Sequence, residues 1–351
     1  MKLPIPVRKA VARMRPYHPP LEDRDGKLRL DFNENTLGCS PKARAAIRNL
    51  SSAAVSMYPE QDTVRRELAR FVGVRNDELL LTNGTDEALH LIVDSFLEPD
   101  DIVLLVEPTF AMYRFYSELA GARIQALRYD AAMQFPMKAL LAALRKPPRI
   151  FFLANPNNPT GSVLRPAELR RILKAATRTL VVVDEAYFEY SGITILPWIR
   201  RNNNLVVTRT FSKAAGLAGL RLGCIFAHRS ITEYCRKAQS PYPVGVAALA
   251  AARATVRDQR FLRSTHREFR RSRKELERGL TKLGIPFFPS AANFVLLFLG
   301  DRAKQVVQSL ARQGTLIRDR SSDFNGAGYV RITFGTLSQT RRVLRQLEEL
   351  L

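Results

Sequence analysis

The composition of this 351-residue chain excludes several broad classes of protein. Its 46% of hydrophobic residues provides material for a large core and about two domains. No apolar run approaches the ~20 residues of a membrane-spanning helix, and Cys39, Cys224 and Cys235 have neither a disulfide nor a metal-ligand spacing.

The chain is strongly basic. Lys and Arg number 55 against 33 Asp and Glu, a net charge of +22, which favours anionic partners that range from nucleic acids to small molecules. Much of the excess lies in residues 257–278, where arginines alternate with glutamates around an apolar stripe, as on a solvated helix. Because zinc-finger, RNP and basic-zipper patterns are missing, we expect only nonspecific binding of polyanions at low salt.

Residues 1–30 predict an extended arm, because their five prolines forbid a long helix. This basic segment lacks the continuous apolar stretch of a secretory signal, so we expect a cytoplasmic protein. Tyr17 on the arm is either a packing anchor or an aromatic side chain that faces a substrate.

From residue 31 to about residue 255, apolar strands alternate with helices. The strands are predicted near residues 79, 102, 150, 180, 205 and 223. This alternation predicts an α/β fold with a large, doubly wound, mostly parallel sheet. In such a sheet, the side chains that follow successive strands gather along one edge, where ligands bind.

After about residue 255 the pattern changes. A long charged helix precedes strands predicted at 285–288, 294–298, 315–318 and 329–334, with helices at 303–313 and 338–350. This mixture predicts a smaller α+β domain. We therefore expect three parts: an arm (1–30), a large domain (31–255) and a small C-terminal domain (256–351).

The stretch TRTFSKAAGLAGLRLG at 208–223 carries the most chemical information. Lys213 lies just past an apolar strand with Thr210 and Ser212 beside it, and Arg221 follows eight residues later. A single lysine is usually a surface cation, whereas a lysine that forms an imine with a cofactor needs a phosphate anchor nearby. The hydroxyls and the arginine would make such an anchor, and this stretch alone leaves both interpretations open.

Other strand ends also carry candidate site residues. Gly84 and Thr85 lead into a helix N-terminus, whose free N–H groups can bind an anion. Phe110 could cover a flat ring or belong to the core, and Asn158 is held in the rigid loop NPNNPTG. Asp184 ends a buried strand, where an acid needs a partner, either a protonated ring nitrogen or one of the many arginines.

Taken in chain order, these residues resemble the site of the fold-type I pyridoxal-phosphate aminotransferases, over nearly the whole chain. The most specific segments are NPNNPTG at 155–161, DEAY at 184–187 and SKAAGLAGLRLG at 212–223. The chain is most similar to the histidinol-phosphate aminotransferases, through LDFNEN, YPE, NGTDEAL, EPTFAMY and GYVRITFGT. The resemblance implies a homodimer that uses pyridoxal 5'-phosphate.

The resemblance also implies a role for each site residue. Lys213 would bond the cofactor and move a proton, Asp184 would pair with the pyridine nitrogen, and Phe110 would stack on the ring. Asn158 and Tyr187 would bond the phenolic oxygen of the ring. The cofactor phosphate would be bound by Gly84, Thr85, Thr210, Ser212 and Arg221, together with Tyr58 of the partner subunit.

The implied reaction transfers an amino group between L-histidinol phosphate and 2-oxoglutarate in histidine biosynthesis. Arg331 would bind the substrate phosphate or an amino-acid carboxylate, and Arg318 and Tyr17 are further candidates for substrate contacts. An aromatic or broad-range aminotransferase and a decarboxylase of phosphorylated amino acids stay open, and a basic nucleic-acid-binding protein is a remote alternative. No metal site and no membrane contact are expected.

Overall fold

The computed structural model describes residues 5–16 and 20–351. The strands are β1 (Leu28–Arg29), β2 (Leu79–Asn83), β3 (Ile102–Glu107), β4 (Arg123–Arg128), β5 (Ile150–Ala154), β6 (Leu180–Asp184), β7 (Leu205–Thr210), β8 (Leu222–Ala227), β9 (Phe287–Phe288), β10 (Phe294–Phe298), β11 (Thr315–Leu316), β12 (Arg318–Asp319) and β13 (Tyr329–Thr333). The α-helices are α1 (Lys9–Arg13), α2 (Pro41–Arg48), α3 (Ser52–Ser56), α4 (Gln61–Val72), α5 (Gly84–Phe96), α6 (Ala111–Leu119), α7 (Met137–Ala143), α8 (Pro166–Ala175), α9 (Phe188–Ser191), α10 (Arg229–Ala238), α11 (Val246–Val256), α12 (Gln259–Lys282), α13 (Ala303–Arg312) and α14 (Leu337–Leu350).

A seven-stranded sheet forms the centre of the fold, in the order β2-β8-β7-β6-β5-β3-β4. Its inner strands are apolar on both faces because helices cover both sides: Val181 and Val183 of β6 pack into one core cluster, and Val182 into the other. The predicted large, mostly parallel α/β sheet is confirmed. Strand β4 was not predicted because it is an edge strand with a polar, largely exposed sequence, RIQALR.

Only β8 runs against the direction of the other strands in this sheet, pairing antiparallel with both β2 and β7. Its first residues therefore lie at the edge where the other strands end. The reversal brings Arg221, which directly precedes β8, to the same edge as Lys213 after β7. Gly223 in β8 lies so close to the turn between β2 and α5 that a Cβ there would be 2.6 Å from Gly84 O and from Thr85 N.

The C-terminal part contains a second, antiparallel sheet in the order β12-β13-β10-β9. Helix α12 buries Phe269 and Leu276, as its apolar spacing predicts, and α14 packs beside it. The strand predicted at 315–318 is two short strands with different partners: β11 pairs with β1, and β12 pairs with β13. The predicted smaller α+β unit is thus present. Its sheet contains the strands predicted at 285–288, 294–298 and 329–334, together with β12.

The end of the N-terminal arm and the residues that follow it connect these two parts. After the short helix α1, β1 pairs in parallel with β11, and Leu30 is buried in the C-terminal core. Phe32, Asn33 and Glu34 then reach a cavity at the edge of the large sheet. Within the described residues, no helix is long and apolar enough to cross a membrane, and no cluster of acidic, His or Cys side chains could hold a metal.

Replacing Gly223 with alanine should destabilise the protein by about 1–3 kcal/mol, because the new Cβ meets backbone rather than a movable side chain. The urea midpoint should fall. Gly219→Ala is the matched control, because no heavy atom lies within 4 Å of its added Cβ. Equal midpoints for the two variants would contradict a tight contact between β8 and the β2–α5 turn.

Candidate active site

A cavity of about 510 Å³ opens at the edge where the strands of the large sheet end. It brings together most of the site residues singled out in the sequence. They are Thr85, Phe110, Asn158, Asp184, Tyr187, Thr210, Ser212, Lys213, Arg221, Arg318 and Arg331. Gly84 does not line the cavity itself, but it is the first residue of α5, directly beside Thr85.

Lys213 projects into this cavity from the turn after β7. Its Nζ donates a hydrogen bond to the backbone oxygen of Phe32 at 2.8 Å. Burial, assisted by the positive charge of Arg331, lowers the pKa of Lys213 to about 8, although Glu34 acts in the opposite direction. About a tenth of this amine is therefore neutral at pH 7, and that form can act as a nucleophile or base.

Asp184 lies at the tip of β6 on the floor of the cavity. Its carboxylate accepts hydrogen bonds from the Tyr113 hydroxyl at 2.8 Å and from the Ala186 N–H at 3.1 Å. Burial raises the pKa of Asp184 to about 6. Across residues 5–16 and 20–351 no cationic side chain forms an ion pair with it, so the arginine partner considered from the sequence is not found, and an acid is left facing the cavity.

Tyr187 and Asn158 lie on one side of the same cavity. The Tyr187 hydroxyl accepts a hydrogen bond from Asn33 Nδ2 at 2.8 Å, and its ring packs edge-on against Phe294. Asn158 Oδ1 accepts a hydrogen bond from Arg331 Nη1, which leaves its amide nitrogen as the available donor. Both side chains are thus oriented by residues that are distant in the sequence.

An anion-binding corner forms where α5 begins. Asn83 precedes the helix without capping it through its side chain, so the first N–H groups of α5 are available. Arg221, held in a left-handed conformation (φ +52°), donates to Ser212 Oγ at 3.3 Å and pairs with Asp86 at 3.0 Å. A side chain at Gly84 would come within 3.1 Å of the guanidinium carbon of Arg221, so glycine permits this close approach.

Three arginines from the C-terminal sheet close the opposite side of the cavity. Arg331 of β13 lies directly opposite Arg318 of β12 in the antiparallel pair, and Arg320 lies two residues after Arg318. Burial and the charge of Arg320 lower the pKa of Arg331 to about 10. Arg320 forms an ion pair with Asp323, but the Nε atoms of Arg331 and Arg320 are buried without a hydrogen-bond partner among the described residues. Three arginines against one nearby carboxylate make this side of the cavity suited to an anion.

Besides Gly84, one predicted site residue that the structure describes does not line this cavity. Tyr58 is 76% exposed and stacks on Tyr242, with ring centroids 4.1 Å apart. Tyr17 lies outside the described residues.

Several residues that shape the cavity were not assigned a role from the sequence. Tyr113 bonds Asp184 and stacks on Phe152, and its spacing of three residues from Phe110 was a usable signal, since both belong to one helical turn. Asn33 lies in the segment LDFNEN, to which no role was assigned. Its bond to Tyr187 spans 154 residues, and no local pattern could indicate it. Asp86 and Arg320 were also missed.

The cavity combines the partly neutral amine of Lys213 with Asp184, a buried acid without a cationic partner. It also has two anion sites, one at the start of α5 and one at the arginines of the C-terminal sheet. It can hold a flat, cationic ring between Phe110 and the floor, bind a phosphate at the start of α5 and bind a second anion at the arginines. Proton transfer at a carbon held beside Lys213 is the chemistry that this geometry favours.

Comparisons with known proteins agree with this chemistry. The family model described as aminotransferase class I and II matches residues 25–347. The histidinol-phosphate aminotransferase of Symbiobacterium thermophilum is 38% identical, with 97% of this chain and 98% of the relative covered, and that of Caldanaerobacter subterraneus subsp. tengcongensis is 35% identical over 93% of each. The structure of histidinol-phosphate aminotransferase from Sinorhizobium meliloti in complex with pyridoxal-5'-phosphate has a TM-score of 0.85 and 26% identity, covering 92% of this chain and 90% of that one. The chain therefore belongs to the class I and II aminotransferases and is a pyridoxal-phosphate-dependent enzyme.

Proposed function

We propose that this enzyme transfers an amino group between L-histidinol phosphate and 2-oxoglutarate in histidine biosynthesis. The observation that carries the substrate assignment is the buried arginine cluster with two unsatisfied Nε–H groups, opposite the amine of Lys213. A phosphate ester or a second carboxylate is the chemical group that would satisfy it. The names of the relatives at 35–38% identity support the same substrate.

The cavity residues fit pyridoxal phosphate. Asp184 is a buried acid without a cation, which suits a protonated pyridine nitrogen, and the open start of α5 with Arg221 suits the cofactor phosphate. Thr85, Thr210 and Ser212 would add donors there, with Gly84 providing the close approach of the backbone. Phe110 would cover the ring, and Asn158 and Tyr187 would donate to its phenolic oxygen.

Pyridoxal phosphate, when bound, supplies a ring that withdraws electrons from the substrate carbon that loses its proton. Lys213 would take that proton and return it at the neighbouring position, which requires an amine that alternates between neutral and charged forms. Its pKa of about 8, lowered by burial, places that alternation near neutral pH. Asp184, positioned by Tyr113, would keep the ring nitrogen protonated throughout.

The substrate anion would be bound by Arg331 and Arg318. Arg331 is fixed by Asn158 and by the backbone oxygen of Asp31, so it is already oriented before a substrate arrives. Tyr17, from the arm, is a further candidate for this subsite. The proposal keeps the division into an arm (1–30), a cofactor-binding domain (31–255) and a small substrate-facing domain (256–351).

We further propose that the enzyme is a homodimer in which Tyr58 contributes to the partner subunit's cofactor-phosphate site. Tyr58 is exposed outside its own cavity, and Val55 and Met57 beside it expose 65% and 66% of their surfaces. Three neighbouring exposed apolar or aromatic side chains suit an interface better than a free surface. A cytoplasmic location stays an expectation of the sequence.

The substrate assignment is tested by the visible absorbance of the purified holoenzyme. The cofactor band should bleach with L-histidinol phosphate and with L-glutamate added singly. Bleaching by L-phenylalanine at lower concentrations would instead support an aromatic aminotransferase, and release of CO₂ from a phosphorylated amino acid would support a decarboxylase.

Arg331→Gln should lower kcat/KM for L-histidinol phosphate by about 30- to 150-fold, because a charged hydrogen bond to the substrate is worth roughly 2–3 kcal/mol. The rate with L-histidinol, which lacks the phosphate, should change much less. Arg312→Gln, at an exposed arginine on α13, is the matched control. If Arg331→Gln slows both substrates equally, Arg331 does not recognise the phosphate.

Reconstitution of the apoprotein with pyridoxal phosphate should accelerate as the pH rises through about 8, because only the neutral amine of Lys213 attacks the aldehyde. Arg331→Gln removes a neighbouring positive charge, so the midpoint should move to higher pH. Glu34→Gln removes a negative charge that favours the ammonium form, so the midpoint should move to lower pH. Stopped-flow absorbance measures the rates, and shifts in the same direction would refute this account of the Lys213 pKa.

Hybrid dimers test the role of Tyr58 across the interface. One subunit carries Lys213→Ala and the other Tyr58→Phe. If Tyr58 acts on the partner's site, the subunit that retains Lys213 receives an intact Tyr58, and the hybrid binds cofactor at one site with wild-type affinity. Weakened binding at that site would mean that Tyr58 acts within its own subunit. If the Tyr58→Phe homodimer also binds cofactor with wild-type affinity, Tyr58 contributes to neither site. Sedimentation should give twice the 39.6 kDa mass of the chain.

A further inference from the structure

A second cavity lies behind the turn that carries Lys213, separate from the site described above. Its volume is about 370 Å³, and it is bounded by α4, α9, α11, α12 and the ends of β7 and β8. Most of its wall is apolar, and the main contributors are Leu68, Phe71, Phe188, Phe211, Val256 and Leu262. A cavity of this size and lining accommodates a small organic molecule.

Two residues that line this second cavity each carry a buried polar atom without a hydrogen-bond partner in the described part of the chain. Thr265 is only 4% exposed, and its Oγ1 has no hydrogen-bond partner among the described residues. The same holds for Oε2 of Glu189. Buried polar atoms are nearly always hydrogen-bonded. Two unpartnered oxygens on residues that line one cavity therefore indicate a position for a ligand with N–H or O–H groups.

Arg209 also lines this cavity and its positive charge acts on Glu189, but its hydrogen bonds go to Glu185 and Thr194. The guanidinium of Arg209 donates to Glu185 at 2.8 Å and lies 3.5 Å above the Phe188 ring, and no ion pair joins it to Glu189 within the described residues. His266 also lines the cavity, where burial and the charge of Arg270 lower the pKa of its imidazole, which favours the neutral form. Burial raises the pKa of Glu189 to about 7, and a cation beside it would favour the carboxylate.

We propose that the second cavity binds a small organic cation, with an apolar body against the wall and an ammonium N–H that donates to Glu189. Thr265 Oγ1 provides the second polar contact. This ligand class differs from the anions that the catalytic cavity is built to bind.

Occupancy of the second cavity should affect catalysis because the two cavities share a wall. Thr210 lines both of them, and its Oγ1 accepts the Ser212 N–H at 3.1 Å. Phe211, Ala214 and Ala215 line the second cavity on either side of Ser212 and Lys213. A ligand that shifts this turn would shift the catalytic amine with it.

The test uses the holoenzyme and N,N-dimethylbenzylammonium as the probe. A tertiary amine cannot condense with the cofactor aldehyde, and this one carries neither phosphate nor carboxylate for the arginines. Calorimetry should give a Kd of about 1 mM or tighter, within the range for a ligand of roughly ten non-hydrogen atoms. Saturating inorganic phosphate, which occupies the catalytic anion sites, should not displace the probe.

Glu189→Gln should weaken binding of the probe at least tenfold, and Glu233→Gln, at an exposed glutamate, is the matched control. Benzyl alcohol, the neutral probe, should bind the wild type and Glu189→Gln alike. Saturating probe should change kcat at least twofold in the wild type and leave it unchanged in Glu189→Gln.

Equal affinity of the wild type and Glu189→Gln for the cation would overturn the proposal, as would the absence of binding at about 10 mM. Circular dichroism verifies that the variant is folded. Should it not fold, Leu262→Phe, which adds a ring at the cavity wall, provides the second test: it should abolish binding, and retained binding refutes the site.

Discussion

The site depends on charged groups held away from water around one cavity. Burial moves the pKa of Lys213 to about 8, of Asp184 to about 6 and of Arg331 to about 10, each toward its neutral form. Such desolvation is unfavourable for the free protein, and the continuous apolar strands of the large sheet supply the stability that tolerates it. The cofactor and the substrate carry the complementary charges. Their binding therefore compensates the desolvated charged groups that the folded protein holds in the cavity.

The segment Asp31–Glu34 joins the two parts of the molecule at this cavity. The backbone oxygen of Asp31 accepts from Arg331 of the small sheet, and that of Phe32 accepts from Lys213 of the large one. Arg24 anchors the same segment by pairing with Asp31 and with Glu34. The distance between the amine and the substrate arginine is therefore set by a short piece of backbone whose own side chains are fixed.

The sequence alone predicts those parts of the fold and of the site that depend on residues close together in the chain. Buried strands have continuous apolar runs, and most of the predicted cofactor-site side chains lie at the end of one or within a few residues after it, so their meeting at one edge could be predicted. Edge strand β4 could not, since its exposed residues have no apolar pattern. Pairings such as Tyr113 with Asp184 and Asn33 with Tyr187 depend on how distant elements pack. Helical spacing places Tyr113 near Phe110, but a single sequence does not show which distant residue it bonds.

The net charge of +22 and the charge of the site are separate properties of this molecule. On α12, arginines pair with glutamates at the surface, as in Arg273–Glu277 and Arg278–Glu275, where salt and water screen them. Arg331 is only 4% exposed, and Arg320 beside it, which pairs with Asp323, has a buried Nε without a hydrogen-bond partner among the described residues. Screening reaches such groups much less, so their attraction for an anion persists at ionic strengths that suppress binding to the surface. Selective recognition of an anionic substrate therefore follows from where a few arginines are buried, and not from how many the chain contains.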